Sequence, residues 1–166
     1  INVVNKKNVT ISGLTDNQEF IYDGTSKKPS GTIKVDGDKV PVDELEVKYT
    51  GTGYNSTEAP KNAGTYTVTY KVPDTNANNP TYVGSVTYTF TIKKAQLDKV
   101  TIVKDTFEYT GSDITPTLNN VNSNIEVTGD TKAKNVSNNT ITAKIKDKTN
   151  YEWKDGSNGD LTINWS

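Results

Sequence analysis

Phe20-Ile21-Tyr22-Asp23-Gly24-Thr25-Ser26-Lys27-Lys28-Pro29 and Phe107-Glu108-Tyr109-Thr110-Gly111-Ser112-Asp113-Ile114-Thr115-Pro116 place Phe, Tyr, Gly and Pro at identical offsets. The repetition extends outward from these segments. Val9-Thr10-Ile11 precedes the first and Val100-Thr101-Ile102 the second. A Thr-alternating strand follows each, Tyr66 to Val72 and Thr140 to Ile145. Phe90-Thr91-Ile92 closes the first copy and Leu161-Thr162-Ile163 matches it in the second. Internal repetition on this scale marks an array of small modules. The pattern predicts two, 1–94 and 95–166.

Alternation of period two dominates both halves. Tyr66, Val68, Tyr70 and Val72 share one face, with Thr67, Thr69 and Lys71 on the other. Val86, Tyr88, Phe90 and Ile92 repeat the pattern, as do Leu45, Val47 and Tyr49. In the second half Ile141, Ala143 and Ile145 oppose Thr142 and Lys144, and Leu161, Ile163 and Trp165 oppose Thr162 and Asn164. One buried face and one wet face is the signature of antiparallel sheets. Asp23-Gly24, Asp36-Gly37, Gly51-Thr52-Gly53, Ala63-Gly64 and Asp155-Gly156 supply turn chemistry between the runs. Asp74 to Pro80 reads as a longer polar loop. Helical periodicity is missing, and Asp43-Glu44-Leu45 supports one turn at most. The predicted fold is all-β: two tandem antiparallel β-sandwich modules of immunoglobulin-like (Ig-like) architecture. A β-grasp module is the alternative, and it requires a helix. The junction Lys93-Lys94-Ala95-Gln96 lacks Gly and Pro, which predicts a short, stiff connection and an elongated pair.

Composition narrows the function classes. The 166 residues include no Cys, His, Met or Arg, and all 19 basic residues are Lys. Disulfides and thiolate metal sites are thereby excluded. Without His the commonest general base is missing. Without Arg the bidentate phosphate clamp is missing. The net charge is −1, with 11 Lys against 10 acids in 1–94 and 8 against 10 in 95–166. Neither half has the basic face that nucleic acid requires. No stretch is long enough and apolar enough for a helical membrane span. The start at Ile1 without Met or leader, and the end in a strand, are expected of a fragment of a longer protein. The Lys- and Asn-rich, Cys-free composition suits a secreted or wall-attached protein of a Gram-positive bacterium. No enzyme, metal or cofactor is expected, and a monomer is.

Tyr22-Asp23-Gly24-Thr25-Ser26-Lys27, Tyr49-Thr50-Gly51-Thr52-Gly53-Tyr54, Ala59-Pro60-Lys61-Asn62-Ala63-Gly64-Thr65-Tyr66-Thr67-Val68 and Phe90-Thr91-Ile92-Lys93-Lys94-Ala95 resemble the MBG/YDG-type repeats of bacterial surface proteins. In the second half, Asn150-Tyr151-Glu152-Trp153-Lys154-Asp155-Gly156 and Leu161-Thr162-Ile163-Asn164-Trp165 resemble the end of such repeats. There Val136-Ser137-Asn138-Asn139 stands where the first half has the Ala-Gly-Thr-Tyr turn. The resemblance implies an extracellular repeat of large adhesins or wall-bound proteins, sometimes joined to carbohydrate-active enzymes, with no catalytic residues. The role expected is that of a stalk or adhesive module, with host or environmental glycans or proteins as partners.

Four aromatics are candidates for a carbohydrate-binding alternative. Trp153, Tyr151, Tyr54 and Tyr82 lie near loops or strand ends rich in Asn, Asp and Thr, where a sugar ring could stack. The competing reading, which we favour, is that they cap thin cores with one face buried and a polar tip wet. Trp165 shares parity with Leu161 and Ile163 and reads as core. Asp155 and Asp160 suggest a carboxylate pair or a calcium loop, but the Gly-rich context predicts a plain turn. Asp36-Gly37-Asp38 reads the same way. A Lys–Asn isopeptide bond needs a desolvated Lys beside Asn and an acid. Lys48, Lys71, Lys93 and Lys144 all have outward parity, which argues against one.

Overall fold

The computed structural model describes residues 6–74 and 81–166. Most of the predicted Asp74–Pro80 loop lies outside the described residues. The chain divides into two compact units, residues 1–93 and 94–166. It is all-β with several sheets, consistent with β-sandwich packing. Among the described residues the helical segments are single 3-10 turns, Asp36–Asp38 and Val42–Glu44, so the helix of a β-grasp module is not formed.

In the first unit the strands are β1 (Lys6–Asn8), β2 (Ile11–Leu14), β3 (Gln18–Ile21), β4 (Gly31–Val35), β5 (Glu46–Gly51), β6 (Tyr54–Ser56), β7 (Gly64–Lys71), β8 (Thr81–Val83) and β9 (Ser85–Lys93). The largest sheet has five strands in the order β3-β9-β7-β5-β6. Its centre is the antiparallel ladder that alternation predicts, with Tyr66 opposite Phe90, Val68 opposite Tyr88 and Tyr49 opposite Val68. Strand β3 joins the edge parallel to β9, and β1 runs parallel to β8. Strands β2 and β4 form a separate antiparallel pair. Inward residues of the large sheet make an aromatic core of Tyr49, Tyr66, Val68, Tyr88, Phe90 and Ile92. A second cluster of Val9, Ile11, Val35, Val40, Leu45 and Val72 is wholly aliphatic.

The second unit contains β10 (Ala95–Leu97), β11 (Thr101–Ile102), β12 (Leu118–Asn119), β13 (Ile125–Gly129), β14 (Asn139–Ile145), β15 (Tyr151–Trp153) and β16 (Leu161–Trp165). Strands β13-β14-β16 form the antiparallel centre, β11 pairs with β12, and β10 runs parallel to β15. Its core is Leu97, Val100, Ile125, Ala143, Ile145 and Trp153.

The second unit repeats part of the first: β13-β14-β16 matches β5-β7-β9, without strands in the places of β3 and β6. Lys27 N–H donates to Pro60 O at 2.9 Å, and Ile114 N–H, at the same place in the second motif, donates to Ala133 O at 2.8 Å. Each motif also bonds its closing strand, though at different motif positions: Tyr22 N–H donates to Lys93 O and Phe107 N–H to Ser166 O, both at 2.8 Å. Pro29 and Pro116 are both buried. Gly24 and Gly111 both have positive φ, 82° and 78°, which L side chains adopt at a cost. Phe20 meets Phe90 edge-on at 6.2 Å, and Phe107 meets Trp165 edge-on at 5.9 Å.

These contacts correct one alignment read from the sequence. Trp165, not Leu161, occupies the place of the first residue of Phe90-Thr91-Ile92. Asn139 stands opposite Trp165 as Tyr66 stands opposite Phe90. The four-residue offset preserves strand parity, so the alternating pattern does not reveal it.

Candidate binding surface

The four aromatics singled out in the sequence do not converge. Trp153 is fully buried in the core of the second unit, and its Nε1–H donates to Gly159 O at 2.8 Å. The indole therefore offers no stacking face, which corrects its candidacy. The Gly-rich turn after it supplies the carbonyl that a buried indole N–H needs. Tyr151 is half-buried against the same core. Tyr54 is half-buried, meets Tyr66 edge-on at 5.5 Å and donates its hydroxyl to Glu58 O. Tyr82 is half-buried against the aliphatic cluster of the first unit. These residues close cores, as the amphipathic reading expects.

The acidic turns are built to be turns. Asp155 Oδ1 accepts from Ser157 N–H at 2.9 Å and from Ser157 Oγ–H at 2.6 Å, while Oδ2 pairs with Lys99 at 2.6 Å. Asp23 does the same with Thr25 and Lys27. In each case the lysine first, then the hydroxyl and amide, holds the carboxyl well below the usual carboxylate range. Asp160 pairs with Lys148 instead of facing Asp155. Among the described residues no lysine is buried, so none has the desolvated amine an isopeptide bond requires.

Among the concave surfaces of the described residues, the one beside Trp165 in the second unit joins the most aromatic side chains. In the first unit the Tyr66 ring stacks on Phe90 at 5.7 Å and 29°, Tyr49 meets Phe90 edge-on, and the Tyr66 hydroxyl donates to Asn62 O at 2.7 Å. Burial pushes the Tyr49 and Tyr66 phenols up from their ordinary pKa, so both stay neutral. The second unit has Gly129 opposite Ile141 where the first has Tyr49 opposite Val68. It has Asn139 in place of Tyr66. Trp165 is larger than Phe90, and its Nε1–H reaches Asp130 O, next to Gly129, at 2.8 Å. The loss of Tyr66 is not made good. A cavity of about 110 Å³ remains, lined among others by Phe107, Tyr109, Ile114, Val136, Asn139 and Trp165.

The walls of this cavity are mixed: Phe107, Tyr109, Val136 and Trp165 stand beside Glu108, Lys134 and Asn135. Tyr109 is 64% exposed and Val136 is 87% exposed. Their counterparts Tyr22 and Ala63 are half-buried, Tyr22 against the aromatic core of the first unit. Asn139 is itself buried, its amide held locally: Oδ1 accepts from Ser137 Oγ–H at 2.9 Å and Nδ2–H donates to Ser137 O. Sequence reasoning saw the signal, Val136-Ser137-Asn138-Asn139 in place of Ala-Gly-Thr-Tyr, without the pairing that makes Tyr66 a core ring. No family model, curated protein or solved structure matches this chain.

Proposed function

We propose that this chain is a non-catalytic tandem pair of Ig-like β modules from a bacterial cell-surface protein, with a stalk role that keeps a distal region extended under load. The carrying observation is the strand geometry of each unit. In the first, β3 near the start of the unit runs parallel to the closing strand β9. In the second, Phe107 N–H donates to Ser166 O and Ser166 N–H donates to Asp105 O, the bonding of a parallel pair. Force applied to the ends of such a unit drags the two strands past one another. Their hydrogen bonds are then loaded together, in shear, instead of one at a time. The resemblance of Tyr22 to Lys27 and Ala59 to Val68 to MBG/YDG-type repeats supports the same reading, as does the Cys-free, Lys-rich composition.

Stretching the fragment between reporter domains tests the proposal. Two discrete unfolding events, one per unit, are expected. Continuous extension without a force peak would contradict it.

A further inference from the structure

We infer that the cavity beside Trp165 is a binding slot for an aromatic ring, specifically a tyrosine side chain presented by a polypeptide partner. The inference concerns adhesion and does not depend on the stalk reading.

The occupant is read from the first unit. There the same place in the same scaffold is filled by the ring of Tyr66, stacked on Phe90. In the second unit Asn139 carries no ring, and Trp165 stands where Phe90 does. The cavity of about 110 Å³ is open to solvent and smaller than the enclosed void of about 150 Å³ that takes up benzene, so a ring seats in it in part and rests its remainder on the exposed rim. Aromatic rings gain from stacked or edge-on neighbours beyond the area they bury. Phe107, Tyr109 and Trp165 supply such neighbours here.

A phenol fits better than a plain phenyl. In the first unit the Tyr66 hydroxyl donates to the carbonyl of Asn62. Asn135 occupies the corresponding position and lines the cavity, and its carbonyl, 3.1 Å from Ser137 Oγ, shares that hydroxyl's single proton with Asn139 Oδ1. A carbonyl oxygen has two lone pairs, so a second donor can be accepted. Val136 and Tyr109 stand exposed beside the cavity, positioned to cover a side chain that enters from a partner.

The test is a titration of the isotope-labelled fragment with N-acetyl-tyrosinamide, and in parallel with methyl glucoside, followed by amide and indole NMR shifts. Shifts are expected for the Trp165 indole N–H and for the amides of Asn135, Val136 and Asn139, with the Trp153 indole unmoved. Asn139→Tyr, which restores the residue of the first unit, should weaken binding at least about tenfold by occupying the slot. Val136→Asp changes only an exposed side chain and should weaken it comparably. The inference fails if the tyrosine derivative moves no resonance, if the glucoside moves them in its place, or if Val136→Asp binds as the parent does.

Discussion

Asn139 lies directly opposite Trp165 in the ladder of β14 and β16, the register position at which Tyr66 stacks on Phe90 in the first unit. One scaffold thus carries a filled aromatic core in one copy and an opened one in the other. Asn139→Tyr should raise the stability of the second unit by about 1–2 kcal/mol, the value of restored ring burial less the lost Ser137 contacts. Tyr66→Asn in the first unit should cost about 3–5 kcal/mol, as large-to-small aromatic changes do. Both tryptophans lie in the second unit, so indole fluorescence follows that unit alone while far-UV circular dichroism follows both.

The Trp153 indole is held by burial and by its hydrogen bond to Gly159 O. Trp153→Phe keeps much of the apolar ring but leaves that carbonyl without its indole donor. A loss of about 1–3 kcal/mol is expected from the second unit. Denaturant unfolding followed by Trp165 emission measures it.

Gly24 and Gly111 share a left-handed backbone, φ 82° and 78°, beside the hydroxyls of Tyr22 and Tyr109. Alanine at either position should cost about 1–2 kcal/mol. Gly159 has neither positive φ nor a heavy atom near its missing Cβ, so Gly159→Ala should be close to neutral. Thermal melts of the three variants separate backbone strain from packing.

The depressed carboxyls of Asp23 and Asp155 contribute to the acid response. Below the unfolded carboxylate value of about 3.9 the unfolded chain binds the proton first, so their contribution is complete above that pH and declines as pH falls toward the lower folded values. Asp155→Asn should flatten the acid-side loss of stability in the second unit and leave the first unchanged. Both carboxylates are exposed, so added salt should weaken the same effect. Acid titration by indole fluorescence, at low and high salt, measures both dependences.

Much of the fold was legible in local patterns. The alternation of Val47, Tyr49, Val68 and Phe90 reports which face is buried, because strand side chains repeat every two residues. The Phe-Tyr-Gly-Pro motif reports a turn and a buried proline, both local. What stayed hidden depends on distant partners. The parallel seating of β3 on β9 leaves no local trace. The four-residue offset between Leu161 and Trp165 is invisible to a period of two. Trp153 carried a ligand-like context of Asn, Asp and Gly, yet the same Gly-rich turn supplies the carbonyl that allows its burial. The cavity was signalled by Asn139 replacing Tyr66, but its meaning required knowing that Tyr66 faces Phe90.

Shear loading of the parallel pair is the central claim, and direction-dependent pulling measures it most directly. The chain has no cysteine, so thiol handles can be placed at will. Handles at Thr15→Cys and Lys93→Cys load β3 against β9 in shear, while handles at Glu46→Cys and Lys71→Cys peel β5 from β7 one rung at a time. The account predicts a clearly higher unfolding force for the first pair. Equal forces in the two directions would contradict it.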